Sequence, residues 1–288
     1  MDDFQGSILR KIEEVYEVSR NEGCEFVVCG GDIFNSHRIF SYELLGSAMD
    51  LICDSGLDTY TVVGQHDLIG YNRETFKSST LAFVVDRCPS LRVIWEPTTV
   101  GCVRLAASHV WEDPKDVGSH EMDRDFVNVL VAHHLLTDKD TVFDIVNTSD
   151  FVGWMKDEER YDIVLSGDLH CGYSVHEVDG VWFCNPGSLT RQSTNDRMRS
   201  PKFAIIDVEA GGIPIIDERE LECAQKGDVV FGESAAEIMR SDLKLNPSVF
   251  IREVEEFEAE SVDIQELIQK VGKVRGIRQE VLNYLASV

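Results

Sequence analysis

The feature that most constrains the fold of this chain is a short apolar run that ends in polar residues able to bind a metal. The pattern occurs four times, in the runs EFVVC, TYTVV, FVNVLVA and YDIVLS. The polar residues that follow these runs are Asp32; Gln65, His66 and Asp67; His133; and Asp168 and His170. Short runs rich in Val, Ile and Phe are typical of buried strands. Because the carboxyl ends of parallel strands meet at one edge of a sheet, the pattern predicts an α/β fold with a binding crevice there.

A helical pattern precedes each of the first two runs. A helix is predicted over 7–22, where apolar residues share one face and Gly23 ends it, and a second helix over 42–56. Asp179-Gly180 marks a two-residue hairpin turn. Further strands are predicted at 91–95, 100–108 and, as a pair, within 203–218.

The composition changes after about residue 218. Residues 1–218 are therefore predicted to form one domain and 219–288 a small acidic and helical appendage. A helical pattern over 262–287 either docks a partner coiled coil or covers the core. This helix carries the densest basic cluster of the chain, which comprises Lys270, Lys273, Arg275 and Arg278.

Charge and hydropathy narrow the function. The 27 basic and 52 acidic residues give a net charge of -25, which disfavours broad binding to nucleic acids unless a local basic strip or bound metal reverses the field. No apolar run approaches the roughly 18–20 residues that span a bilayer, and the acidic start does not resemble a signal peptide. We therefore expect a cytoplasmic protein that does not contact membranes. Its eight cysteines form no C-x-x-C pair, so we expect buried free thiols.

Carboxylate, amide and imidazole side chains at the strand ends suit a divalent cation such as Mn²⁺, Mg²⁺ or Fe²⁺. Taken alone, a strand-end aspartate is more often a turn or helix cap than a ligand, and a single buried histidine is more often structural. Four strand ends in order favour the metal-centre interpretation.

The order Gly31-Asp32, Gly64-Gln65-His66-Asp67, His133 and Gly167-Asp168-Leu169-His170 resembles that of the calcineurin-like metallophosphoesterases. The segments GGDIFNS, VVGQHDL, VLVAHHLL and FCNPGSLTR are most similar to the SbcD-type nuclease subunits of bacteria and phages, which act in DNA-break processing. The resemblance covers roughly residues 8–210. It implies a four-layer α-β-β-α sandwich, here with the small C-terminal appendage, and hydrolysis of phosphate esters by a metal-activated water at a pair of metals about 3.5–4 Å apart.

The resemblance also implies roles for the metal ligands. Asp32 would bridge the two metals, and His170 would serve the first. The second metal would be completed by Gln65, His133 and Asp168.

The resemblance implies that His66 does not bind metal but stabilises the transition state and protonates the leaving oxygen. Asp67 would orient His66 and keep it protonated. Arg191 is a plausible phosphate contact, and an ordinary surface arginine is an equally good interpretation.

Two substitutions in the pattern affect the expected metal. Gln65 stands where the superfamily has Asn, and Asp168 stands where it has His. Both changes make the second metal's ligands richer in oxygen, so we expect Mn²⁺, with Mg²⁺ or Fe²⁺ as alternatives, rather than zinc.

A third departure concerns the first metal. The superfamily pattern begins with a strand ending in D-x-H, and no D-x-H precedes Asp32 in this chain. A strand and loop of about 20–30 residues is therefore expected to be missing, and an upstream start or a trimmed chain is a better explanation than a natural design. Asp32 and His170 remain for the first metal. We expect the chain to bind one metal better than two and to hydrolyse weakly.

The sequence thus predicts a metal-dependent phosphodiesterase, an exonuclease or end-processing nuclease on DNA. An SbcC-type ATPase and a second copy of the chain are possible partners by analogy. Two alternatives stay open. One is a phosphoesterase acting on small or protein phosphates, which the acidic charge favours. The other is a degenerate, non-catalytic subunit, which the absent D-x-H favours.

Overall fold

The computed structural model describes residues 4–34, 41–116, 122–139, 145–156, 160–191 and 199–224. The predicted helix over 262–287 and its basic cluster lie outside these residues, and the predicted boundary at 218/219 stays a prediction. In the part of the chain that is described, no helix is long and apolar enough to cross a bilayer.

The first sheet has three parallel strands in the order β1-β2-β3. They are β1 (Phe26–Cys29), β2 (Asp58–Thr61) and β3 (Leu91–Val93). Helix α1 (Phe4–Asn21) leads into β1, α2 (Tyr42–Cys53) into β2, and α3 (Thr80–Val85) into β3. Ser41 and Ser79 begin α2 and α3 by accepting hydrogen bonds from backbone N–H groups of the first turn. This sheet places the carboxyl ends of β1 and β2 next to each other.

The second sheet has six strands in the order β10-β11-β9-β6-β5-β4. Its four central strands run parallel, and β4 and β10 are antiparallel edges. In chain order they are β4 (Thr98–Val100), β5 (Val103–Ser108), β6 (Val127–Ala132), β9 (Ile163–Ser166), β10 (Tyr173–Val178) and β11 (Val181–Asn185). Every residue of β6 is buried, as expected for a central parallel strand covered on both faces.

Two further strand pairs and a fourth helix lie outside these two sheets. Short strands β7 (Leu136–Thr137) and β8 (Val146–Asn147) pair with each other and lead into α4 (Thr148–Trp154). Strands β12 (Lys202–Asp207) and β13 (Ile215–Glu220) form an antiparallel hairpin.

The hydrophobic clusters define four layers. One cluster joins Tyr60 and Val62, from β2 and its end, to Leu105 and Val129 of the second sheet, so the two sheets pack face to face. A second cluster packs α1, α2 and α3 on the outer face of the first sheet. A third packs α4 on the outer face of the second sheet. The α-β-β-α sandwich expected from the sequence is confirmed.

The expectation of buried free thiols holds in full only for Cys184; Cys24, Cys29 and Cys102 are free but partly exposed. Cys53 and Cys88 form a disulfide, with Cα atoms 5.5 Å apart. They lie at the end of α2 and just after α3, and both pack in the cluster on the outer face of the first sheet. This contact joins residues 35 apart in sequence, so the sequence pattern could not place it. Cys171 and Cys223 are free but exposed.

Candidate metal centre

Three strand ends bring three predicted ligands together. Asp32 follows β1, His133 follows β6 and Asp168 follows β9, and one ligand atom from each lies within 4.8 Å of the other two. The Nε2 atom of His133 lies 3.2 Å from Oδ2 of Asp32 and 4.0 Å from Oδ1 of Asp168. Two carboxylates and an imidazole at these separations form a donor set that suits a divalent cation.

Gln65 lies within the same group. Its Oε1 is 2.7 Å from Nε2 of His133, and its Nε2 donates to Oδ1 of Asp168 at 2.7 Å. All four residues assigned to the second metal therefore meet at one place. We call Asp32, Gln65, His133 and Asp168 the ligand cluster.

The ring of His133 is held in one orientation. Its Nδ1–H donates to the carbonyl of Gly30 at 2.6 Å, which directs Nε2 towards the carboxylates. Burial by itself lowers the pKa of His133, but the hydrogen bond and charge of Asp32, the Gly30 carbonyl and the charge of Asp168 together raise it above its usual value. A proton therefore occupies Nε2 readily when no cation does, and cation binding has to release it.

One poorly satisfied oxygen tests whether these residues fit a cation. Oδ1 of Asp32 accepts the backbone N–H of His66 at 2.8 Å, whereas Oδ2 is buried and makes no hydrogen bond of good geometry, with Nε2 of His133 3.2 Å away. A buried carboxylate oxygen without a well-placed donor is unfavourable, and coordination to a cation would remove that cost. Both carboxylates also sit on left-handed backbone, with φ 51° at Asp32 and 68° at Asp168. Such strain is typical of functional sites, and the cluster fits a divalent cation.

Two glycines next to the ligands are required by close approach. A Cβ on Gly31 would overlap the imidazole of His133, and a Cβ on Gly64 would overlap the carboxylate of Asp32. Gly31 also has φ 96°, in the region that favours glycine. The glycines of the sequence motif thus let backbone and ligands pack together.

Asp67 has a contact that the sequence did not predict. It is fully buried, and its Oδ2 accepts the N–H groups of Gly64 at 2.9 Å and Asp32 at 3.2 Å, while Oδ1 has no partner. Burial raises the pKa of Asp67 to about 7. The carboxyl group therefore ties the loop after β2 to the residue after β1. Neither of its oxygens is hydrogen-bonded to the His66 imidazole, so the orienting role stays a prediction.

His66 and His170 differ in exposure and in their contacts with the ligand cluster. His66 is half-buried, and its backbone anchors Asp32. His170 is exposed and is not part of the metal-capable group found among the described residues. The two residues left for a first metal, Asp32 and His170, are therefore not gathered as the cluster is.

Arg191 lies inside the protein rather than on its surface, with 2% of its surface exposed. The neighbouring Arg199 donates to the carbonyls of Ser188 and Thr190, each at 2.6 Å. The phosphate contact expected of Arg191 stays a prediction.

Sequence reasoning missed an aromatic group beside the cluster. The rings of Trp95, His109 and Trp111 have centroid separations of 5.1, 4.7 and 6.3 Å, and we call these three residues the aromatic platform. Trp95 follows β3 and His109 follows β5, so a signal was present in the residues just after these two strands.

The family comparison agrees with this geometry. Residues 7–211 match the model of the calcineurin-like phosphoesterase superfamily domain, so the chain belongs to that superfamily. Its members hydrolyse phosphate esters with divalent metals. No curated protein matches the chain.

Solved structures are similar at low identity. TT1561 of Thermus thermophilus is 13% identical, with a TM-score of 0.49; the match covers 74% of this chain and 94% of that one. A second crystal structure is also 13% identical, with a TM-score of 0.47; the match covers 72% of this chain and 92% of the other.

Proposed function

We propose that this chain is a metal-dependent phosphodiesterase that hydrolyses DNA as an exonuclease or end-processing nuclease of the SbcD type. The observation that carries the proposal is the ligand cluster, in which a buried Asp32 oxygen that makes no hydrogen bond of good geometry lies beside an imidazole and a second carboxylate. The SbcD-type assignment rests on the sequence segments around these residues. With this assignment we also propose a cytoplasmic location and two partners, an SbcC-type ATPase and a second copy of the chain.

Each site residue has its own role in the proposed reaction. Asp32, Gln65, His133 and Asp168 hold the cation, and their oxygen-rich set favours Mn²⁺, with Mg²⁺ or Fe²⁺ as alternatives. A divalent cation bound there polarises a phosphoryl oxygen and lowers the pKa of water. Gly30 fixes the ring of His133, and Asp67 joins the loops that carry Asp32 and Gln65. His66, half-buried at the same loop, holds the proton that the leaving oxygen takes.

The net charge of -25 favours one competing function, a phosphoesterase of the same fold that acts on small or protein phosphates. Comparing substrates separates the two. The Mn²⁺-loaded protein is assayed on bis(p-nitrophenyl) phosphate, p-nitrophenyl phosphate and linear DNA. We expect cleavage of the diester and of DNA, and loss of both in Asp32→Asn. The control is Asp50→Asn, at an exposed acid on α2.

Cleavage of the monoester alone would favour the competing function. No cleavage of any substrate by the Mn²⁺-loaded protein would favour the non-catalytic subunit.

A further inference from the structure

The aromatic platform is more than core packing. Trp111 packs against the cluster on the outer face of the first sheet, but Trp95 is 48% exposed. The planes of Trp95 and Trp111 lie only 17° apart, and the rings of Phe76 and Trp95 pack edge-to-face with their centroids 4.9 Å apart. Leaving a large aromatic ring half in water forgoes the gain from burying it. A supported, exposed ring of this kind suits stacking by a flat ligand.

The platform adjoins the ligand cluster. Ser108 and Ala132 are register partners in neighbouring parallel strands, so His109 and His133 follow adjacent strand ends, about 5 Å apart. The backbone N–H of Val63 donates to Nδ1 of His109 at 3.1 Å, just before the loop that carries Gln65. A ligand held at the cluster is therefore close enough to reach Trp95 with an attached ring.

One cation and one carboxylate lie at the platform: Arg73 over Trp111, and Glu112, which accepts the backbone N–H of His109 at 3.0 Å. Burial lowers the pKa of His109 to about 4, so its ring is neutral near pH 7 and stacks as an uncharged aromatic. The guanidinium of Arg73, an exposed residue, lies 5.0 Å from the centre of the Trp111 ring. Arg73 places a positive charge beside the rings in a chain of net charge -25, where a polyanion otherwise meets repulsion.

We propose that the aromatic platform stacks an unpaired base of single-stranded DNA whose phosphate lies at the ligand cluster. The proposal rests on the proposed function, since DNA is the substrate in both. Stacking tolerates any base because every base has a flat aromatic face, which suits an end-processing enzyme. Trp95 provides the accessible surface, His109 and Trp111 hold it in place, and Arg73 offsets part of the acidic field.

The test measures binding without hydrolysis. The Mn²⁺-loaded full chain is titrated with fluorescently labelled phosphorothioate oligothymidylate, whose linkages resist hydrolysis, and with a phosphorothioate abasic oligonucleotide of equal length, and anisotropy gives the Kd of each. Trp95→Ala is expected to weaken binding of oligothymidylate about 5- to 100-fold, the range for loss of one stacked base. Trp95→Phe keeps an aromatic ring and should retain most of the affinity. Binding of the abasic strand should be weak and equal in all variants.

Phe83→Ala is the matched control. Phe83 is 43% exposed, and the guanidinium of Arg87 lies 3.8 Å from the centre of its ring, but Phe83 is on α3 and not in the platform. The Phe83→Ala substitution should leave the Kd for oligothymidylate unchanged. Equal binding of the two oligonucleotides by the wild-type chain would overturn the proposal, as would unchanged binding in Trp95→Ala.

The outcome for the platform is separable from that for the proposed function. Stacking that depends on Trp95, found in a chain that cleaves no phosphodiester with Mn²⁺, supports the platform and refutes the nuclease. DNA cleavage by a chain whose binding ignores Trp95 supports the nuclease and refutes the platform.

Discussion

The two metal positions expected next to Asp32 differ in how many of their ligands the structure brings together; we call the second-metal position, with its complete ligand cluster, the built side. On one side, His133, Gln65 and Asp168 converge, and the side chain of His133 is only 1% exposed. On the other side, the expected partner His170 is exposed and outside the group. The difference teaches that a motif can place a residue at a strand end without bringing its expected partner to it. Among the described residues, the fold gathers the ligands assigned to the second metal and not the pair assigned to the first.

The largest expected effect comes from removing a ligand on the built side. His133→Ala should weaken Mn²⁺ binding by at least about 100-fold, because it removes the central imidazole and unpairs the carboxylates around it. His170→Ala should change the Kd by less than about threefold, since His170 is not in the group of ligands that the described residues bring together. Isothermal titration calorimetry with Mn²⁺ measures both. Equal losses in the two variants would remove the contrast between the two sides.

Packing behind the built side gives the next largest effect. Gly31→Ala should lower the free energy of unfolding by about 2 kcal/mol or more and weaken Mn²⁺ binding, because the added methyl overlaps His133 and strains a residue with φ 96°. Gly46→Ala is the control. A Cβ at Gly46 in α2 meets nothing within 4 Å, so this change should stabilise by about 0.5–1 kcal/mol. Urea unfolding of both variants checks this, and a neutral Gly31→Ala would contradict the packing argument.

Acid should lower the free energy of unfolding through His109, which follows β5 beside the ligand cluster. Burial lowers the pKa of His109 to about 4, from an ordinary value of 6.5, so the folded state binds this proton less tightly than the unfolded state. The contribution of neutral His109 to the free energy of unfolding is therefore complete above pH 6.5 and is lost as the pH falls towards 4. The loss attributable to His109 is about 1–2 kcal/mol at pH 5. Urea unfolding at pH 7.5 and pH 5, in EDTA, should show a smaller loss in His109→Gln than in the wild type. The same loss in both would exclude His109 as the source.

A change of ligand type gives the smallest expected effect. Asp168→His replaces an oxygen ligand by nitrogen and should shift the ratio of Zn²⁺ to Mn²⁺ affinity about tenfold towards zinc. Competition between the two ions, read by elemental analysis after dialysis, measures this ratio. Asp150→His, at an exposed acid in the first turn of α4, is the control. An unchanged ratio in Asp168→His would show that the carboxylate does not bind the cation.

Much of the architecture could be predicted because local patterns determine it. The runs around Val27, Tyr60, Val129 and Val164 are apolar strands, and the strand ends they define carry the ligand cluster. Gly31 and Gly64 can be read from the sequence, but it does not show why glycine is needed there. A Cβ at these positions would overlap His133 and Asp32, respectively. Such contacts join distant segments, and sequence periodicity does not reveal them.

The contacts that the sequence did not predict are also long-range. The hydrogen bond from Asp32 to Asp67 joins residues 35 apart, and the bond from Val63 to His109 joins residues 46 apart. Local patterns contain neither bond, and the role that the resemblance implies for Asp67, orienting His66, stays a prediction. The Cys53–Cys88 disulfide belongs to the same class of contact.

We expect the ligand cluster to hold one cation on which hydrolysis depends. The most direct test is elemental analysis of the wild-type chain and His133→Ala after Mn²⁺ loading and gel filtration, with a DNA cleavage assay on the same samples. We predict one Mn²⁺ per wild-type chain with cleavage, and neither in His133→Ala. Retention of Mn²⁺ in His133→Ala, or cleavage by a wild-type sample that holds no metal, would contradict the account.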